Sequence, residues 1–370
     1  MKVIVLRNNL KEALDALSRI INEGATLAVL KYILIKTDTN KISFFSTNLE
    51  VAIVKEIPGK VIESGEVVLP FGVLYSIVNN IQNERIDLES QKTNLTLKTD
   101  NYEAVIQGIA SHEFPIVPKI KDEKHFLEIQ SPLLKEAINK VINASQISEL
   151  RPELSGVLIN IEPAALRLAA TDSFRLAEKT VPSSQVKNTF QSGVKAIIPL
   201  KTAQEASRNL GNDSMTKVFI DEAQVLFKTE GLEIVSRLID GQFPDYEPII
   251  PKELETEIIL DRNELVSALK LTSSFSSRNS EVVIKLKEGK KVLEIYSADN
   301  ALGENKYLIP VKAKGEEVSV SFNWKFLLDG LKNISSETIV LGLQGDSRPA
   351  IVKSPNDASY FYVLMPIKNS

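Results

Sequence analysis

The sequence predicts an α+β fold of three similar domains, each made of two copies of one unit: a strand, a helix and three further strands. Two segments, His112-Glu113-Phe114-Pro115-Ile116-Val117-Pro118 and Gly241-Gln242-Phe243-Pro244-Asp245-Tyr246-Glu247-Pro248-Ile249-Ile250-Pro251, carry the same signal. Each Phe-Pro pair follows a strand-like run and precedes another proline, which holds the backbone extended and forbids a helix or a central strand. Phe114 and Phe243 stand 129 residues apart and about 120 residues follow the second, so the chain falls into near-equal thirds, the mark of a repeat. A chain of 370 residues also exceeds what one core usually serves. The expected domains are 1–122, 123–250 and 251–370.

In the first third, Leu10, Ala13, Leu14, Leu17, Ile20 and Ile21 fall on one helix face, with Lys11, Asp15 and Ser18 opposite. Strands are expected at Val29 to Thr37, Lys41 to Ser46, Glu50 to Ile57 and Val67 to Leu69. Pro70 then opens a second helix, where its missing N–H costs nothing. Strands at Ile86 to Glu89, Asn94 to Thr99 and Glu103 to Ile109 complete the part. The second third repeats the order: a strand at Phe126 to Gln130, a helix from Pro132, and strands at Gly156 to Glu162, Leu166 to Ala170 and Arg175 to Val181. Ala196 to Ile198, a helix from Pro199 to about Leu210, and strands at Lys217 to Asp221, Gln224 to Thr229 and Leu232 to Ile239 follow. The last third runs through Glu257 to Asp261, a helix at about Asn263 to Ser274, and strands at Val282 to Leu286, Val292 to Ala298, Glu304 to Pro310 and Val318 to Phe322. A helix carrying Trp324, Leu327, Leu328, Leu331 and Ile334 precedes the closing strands Ile339 to Leu343, Ala350 to Lys353 and Tyr360 to Met365.

Composition narrows the function. Hydrophobic residues at 43% and charged residues at 25% are those of a soluble globular protein, and no apolar run reaches a membrane span, so a cytoplasmic protein is expected. With no cysteine and only His112 and His125, thiolate and imidazole chemistry have almost no groups to use. P-loop, G-x-S-x-G and H-E-x-x-H patterns are absent, so no catalytic site, metal or cofactor is expected. The net charge of −4 gives no global pull toward nucleic acid. Yet the expected helices, 10–22, 71–82, 132–146, 200–210, 262–278 and 323–334, carry eleven basic residues against six acidic ones. Solvated helix faces account for such an excess about as well as a polyanion-facing surface does. On the second reading, twelve helices of a symmetric dimer, each ~10 Å wide, give a circumference of ~120 Å and a lumen a little under ~30 Å, wide enough for a duplex.

Three motifs add a resemblance. Gly156-x-Leu158 followed by L-R-L-A-A-T-D-S-F-R-L-A from Leu166 to Ala177, the G-x-F-P-D-Y linker at Gly241 to Tyr246, and the ending Tyr362-Val363-Leu364-Met365-Pro366-Ile367 stand in register with the three-part layout. Together they resemble the bacterial sliding clamps, the β subunits of the replicative DNA polymerase III holoenzyme, over the whole chain.

The resemblance implies a head-to-tail homodimeric ring, helices inside and sheets outside, that encircles double-stranded DNA without sequence preference as a processivity factor. It also implies a pocket between domains two and three for short motifs of the polymerase catalytic subunit, the clamp loader and repair proteins. Carried over by motif, the pocket is lined by Leu154, Thr171, Arg175 and Leu176, by Pro244, Pro248 and Ile249, and by Pro349, Val363, Met365, Pro366 and Ile367. Such residues form an apolar groove for an extended peptide, with Arg175 placed to orient a peptide carbonyl or carboxylate. Arg151, Lys201, Arg278 and Asn323 are the DNA-facing candidates. The dimer contact is expected at Tyr102, Ile106 and Ile109 on one side and Ser274 and Phe275 on the other. The loop Gly24 to Leu30 lacks the arginine and proline common there in the family, and Pro248 stands where some members have a basic residue. A β-rich peptide-binding scaffold that does not encircle DNA is the alternative.

Overall fold

The computed structural model describes residues 1–21, 27–39, 41–276, 279–287, 289 and 291–368. Among them are six α-helices: α1 Arg7–Leu17, α2 Phe71–Asn80, α3 Ser131–Ile142, α4 Leu200–Asn209, α5 Arg262–Thr272 and α6 Trp324–Lys332. Each forms where the apolar spacing turns helical, and several starts have a local cause. Pro70 leads into α2 in extended conformation. Asp261 caps α5 by accepting from the Glu264 N–H at 2.8 Å, and Asn323 caps α6 by accepting from the Lys325 N–H at 3.0 Å.

α1 begins three residues before the expected apolar stripe, because Arg7 is committed to α2. Its Nε and Nη2 donate to the carbonyls of Val78 and Asn79 at 3.1 and 3.2 Å, where the helix C-terminus favours a cation. Arg262 repeats the arrangement at the start of α5, donating to the carbonyl of Ile334 at 3.0 Å beyond the end of α6. The repeat inferred from linker spacing thus reaches down to single hydrogen bonds.

The two copies within each third are interlocked. The strand before each helix pairs with the three strands of the other copy: Lys2–Leu6 with Arg85–Gln91, and Gly65–Pro70 with Tyr32–Asp38. The same exchange joins Leu127–Gln130 to Met215–Ile220, Val194–Pro199 to Gly156–Ile161, Thr256–Asp261 to Thr338–Leu343, and Ser319–Asn323 to Glu281–Leu286. Neither copy completes a sheet alone.

Packing divides the chain into two compact units, and the strands of the middle third are shared between them. The first unit, Met1–Pro132 with Lys187–Phe190 and Arg208–Leu238, holds a five-stranded sheet that ends in Glu103–Ile106 and a nine-stranded sheet. In that larger sheet Leu232–Arg237 pairs antiparallel with Val51–Ile57, so hydrogen bonds cross the expected boundary at residue 122. The second unit, Leu133–Val186, Gln191–Ser207 and Ile239–Ser370, holds another nine-stranded sheet and a four-stranded one that ends in Gly303–Pro310. Here Arg175–Pro182 pairs with Tyr360–Leu364, which carries the sheet across the second linker.

Several expected strands differ at their ends. The segment expected as strand from Val29 begins with a 3-10 turn at Ala28–Lys31, and strand starts only at Tyr32. The strand expected to reach Ile109 stops at Ile106. Short strands at Lys60–Glu63, Val186–Asn188 and Lys312–Gly315 were not expected; all are outer strands with few apolar residues, which leaves little alternation to read.

Candidate functional site

The site grows from the turn Thr171-Asp172-Ser173-Phe174-Arg175. Asp172 accepts from the backbone N–H groups of Phe174 and Arg175 at 2.9 and 3.0 Å, and from Arg175 Nε at 2.8 Å. Thr171 Oγ1 donates to the Arg175 carbonyl at 2.7 Å and accepts from the Ser173 N–H, closing the hairpin with Ser173 at φ +77°. The consequence is that Phe174 is held at the tip, 62% exposed. Sheet pairing sets Arg175 opposite Leu364, and the Met365 N–H donates to the Phe174 carbonyl at 2.8 Å. The last strand is thereby fixed beside the turn.

α6 supplies the facing wall. A Cβ on Gly330 would lie 2.5 to 2.9 Å from the Tyr362 ring, so a glycine is needed for this helix to lie on the final strand. Phe326 falls outside the buried stripe of Leu327, Leu328 and Leu331 and stays half-exposed. The result is an open groove of about 600 Å³ lined by Ser173, Phe174, Asn279, Asn323, Phe326, Met365, Pro366, Ile367 and Lys368. Its walls are mainly apolar and its polar atoms sit at intervals, the composition of a site for an extended apolar ligand.

The carried-over pocket residues separate into three groups. Met365, Pro366 and Ile367 line the groove. Leu176 and Val363 are buried in a cluster with Leu158, Ala169, Tyr246 and Ile351, Leu154 is buried in a 3-10 turn, and Thr171 is buried in the hairpin. These four support the site from within. Pro244, Pro248 and Ile249 are exposed on the second linker and Pro349 is half-buried, and none of the four lines this groove.

Arg175 ties the turn to α6. Its guanidinium is held between Asp172 and Asp329, each at 2.8 Å, and stacks 4.3 Å from the Phe326 ring centroid. Through these contacts Arg175 fixes Phe326 and the turn. Sequence reasoning missed Ser173, Phe174, Asn279, Phe326 and Lys368. Phe326 had a readable signal, an aromatic residue out of phase with its helix stripe.

Asn323, expected to face DNA, caps α6 and lines the groove. Arg151 is exposed, donates to Ser173 Oγ at 3.1 Å and lies 3.5 Å from Glu153; Lys201 is exposed in the first turn of α4. Arg278 and the loop residues Gly24, Ala25 and Thr26 lie outside the described residues. The six helices carry ten basic residues against six acidic ones, but Arg7 and Arg262 bind helix carbonyls and Lys140 is buried against Glu136 at 2.9 Å. Part of the basic surplus is therefore structural.

At the expected dimer contact, Tyr102 is exposed, but Ile106 is buried in its own sheet. The Ile109 N–H donates to the Val68 carbonyl, which turns the chain off the edge. Val105, 61% exposed, is the outward residue that the strand's alternation assigns. Ser274 is exposed and Phe275 half-buried beside Gly303, at the start of the edge strand Gly303–Pro310. Two unpaired sheet edges, Glu103–Ile106 and Gly303–Pro310, thus end the two smaller sheets. Among the described residues no helix is long and apolar enough to cross a membrane.

Comparison with known proteins agrees along the whole chain. Family models of the N-terminal, central and C-terminal domains of the DNA polymerase III beta subunit match residues 1–118, 128–245 and 247–368. The beta sliding clamps of Bacillus subtilis (strain 168) and Synechococcus elongatus are 28% and 25% identical, with 100% of this chain and at least 99% of each relative covered. The crystal structure of the Bacillus subtilis sliding clamp superposes with a TM-score of 0.94 at 28% identity, covering 100% of both chains. That of the Thermotoga maritima DNA polymerase III beta subunit does so with a TM-score of 0.91 at 26% identity, again over 100% of both chains. The chain belongs to the DNA polymerase III beta subunit family, the beta sliding clamps.

Proposed function

We propose that this beta sliding clamp encircles duplex DNA as a head-to-tail homodimer and tethers the replicative polymerase catalytic subunit, the clamp loader and repair proteins through the groove at Phe174 and Phe326. It acts in the cytoplasm as an accessory subunit with no catalysis of its own, and its functional domains are 1–122, 123–250 and 251–370. The observation that carries the tethering role is the groove itself, an open apolar trough whose two aromatic residues are held by a hydrogen-bonded turn and by the Arg175 stack. Preformed walls reduce the ordering cost of binding a peptide. The free edges Glu103–Ile106 and Gly303–Pro310 support closure, since each leaves backbone groups that a second copy can pair. Lys201 and Arg151 are the described DNA-facing residues of this reading.

The groove is tested with a fluorescent peptide bearing the host polymerase's clamp-binding motif. Phe326→Ala is expected to weaken binding about tenfold or more while the protein remains dimeric, because a central aromatic is lost. Unchanged affinity in a folded variant would move the binding site elsewhere.

A further inference from the structure

A second cavity, of about 140 Å³, lies between α3, the segment after α6 and the turn before the last strand, and all its lining residues belong to the second unit. Its lining is Lys140, Ile334, Ser335, Ser336, Ser354, Asp357 and Tyr360. Nothing in the groove or the sheet edges uses these residues. Tyr360 is 2% exposed, yet its hydroxyl has no hydrogen-bond partner. Asn333 approaches it but spends its amide on the carbonyls of Lys140 and Asp329 at 3.1 and 3.3 Å. A buried hydroxyl left unpaired is costly, and a polar cavity at its side is where the missing partner belongs.

The donors here exceed what the protein satisfies. Lys140, 9% exposed, gives one N–H to Glu136 at 2.9 Å, lies over the Tyr360 ring at 5.4 Å from its centroid, and keeps N–H groups for a further acceptor. Beside the cavity Lys179 is also buried, and its ammonium donates to Ser359 Oγ at 2.6 Å, a hydroxyl in place of a carboxylate. Ser336 and Ser354 are engaged with neighbouring backbone, at 2.7 and 3.3 Å. An oxyanion matches the remaining ammonium and hydroxyl donors. One wall group selects among oxyanions: Asp357 is an acceptor, and its Oδ1 takes the N–H and hydroxyl of Ser359 at 2.8 and 2.5 Å. A carboxylate tolerates an anion beside it when that anion carries a proton to donate.

We propose that this cavity binds inorganic hydrogen phosphate, with Lys140 and the Tyr360 hydroxyl on its oxygens and Asp357 accepting its O–H. Sulfate has no proton at neutral pH and meets Asp357 as a like charge. A DNA phosphodiester also lacks the proton, and its flanking sugars do not fit the space. The bound anion ties α3 to both segments that precede the last strands of the groove sheet, so it stabilises the second unit by mass action.

The test is calorimetric titration and thermal unfolding of the full-length chain in phosphate-free buffer, with sodium phosphate and sodium sulfate compared at equal ionic strength. Phosphate is expected to bind and raise the melting temperature, with sulfate at least about tenfold weaker. Asp357→Asn is expected to narrow that ratio, and Lys140→Met to abolish binding. Tyr360→Phe removes an unpartnered buried atom, so it is expected to fold with equal or greater stability in phosphate-free buffer and bind phosphate about threefold to tenfold more weakly. Equal effects of phosphate and sulfate in the parent and in Asp357→Asn, an unchanged phosphate affinity in Tyr360→Phe, or no binding of either anion would overturn the proposal and leave the cavity to water.

Discussion

The two Phe-Pro linkers are near twins in sequence and are used differently. Phe114 is buried, but Ile116 just beyond it is 93% exposed, Val117 and Pro118 are half-buried, and the next fully buried side chain is Ile120, which packs with Phe219, Leu226 and Val235 in the first unit. The second linker folds back on the sheet that carries the groove. Phe243 meets Tyr246 edge-on at 6.0 Å, and Tyr246 joins Leu158, Leu176, Ile351 and Val363 in one cluster. The Tyr246 hydroxyl donates to Glu178 Oε2 at 2.6 Å, and burial, then that carboxylate, pushes the phenol well above its ordinary pKa. One linker is a strap anchored at Phe114 and Ile120; the other is part of the floor under the functional site. The difference comes from what each proline pair is followed by: Ile-Val-Pro in the first, Asp-Tyr in the second.

The largest test of this contrast is truncation of the buried ring in each linker. Phe114→Ala and Tyr246→Ala are each expected to cost about 3–5 kcal/mol in urea unfolding. Only Tyr246→Ala is expected to weaken peptide binding as well; equal effects on binding would break the contrast. A smaller effect, about 1–3 kcal/mol, is expected for Tyr246→Phe, which leaves a buried Glu178 oxygen without its donor. Rescue by Glu178→Gln would sharpen that assignment, since an amide needs less from the lost hydroxyl than a carboxylate does. Asn323→Ala is expected to cost about 1 kcal/mol by uncapping α6, measured by the same unfolding. Smallest is Ile116→Ser, expected to change stability by less than about 0.5 kcal/mol because its side chain lies in solvent.

Much of the architecture was legible because it is periodic. The six helix stripes, the strand-helix-three-strand order and the Phe-Pro punctuation are local patterns, and their positions hold to within a few residues. The strand exchange between copies was not legible, since a sequence repeat does not say which copy a strand pairs with. The groove was legible in part. Met365, Pro366 and Ile367 carry the motif and line the site, while Phe326 and Phe174 reach it only through the pairing of Arg175–Pro182 with Tyr360–Leu364. The Arg175–Asp329 ion pair was not legible for the same reason: the two residues lie 154 positions apart in the chain. Ile106 turns into its own sheet by the alternation of Glu103–Ile106, and Ile109 lies beyond the strand's end, which the apolar run through Ile109 does not reveal.

The most direct measurement of the central claim is retention on nicked circular DNA in high salt, after loading by the host clamp loader with ATP, and again after the circle is linearised. A topological ring predicts salt-resistant retention on the circle that is lost on linearisation, because sliding off an end needs no charge to be broken, whereas a groove binder falls off with salt on both forms. Equal retention on circular and linear DNA, or none on either, would contradict encirclement and leave a peptide-binding scaffold.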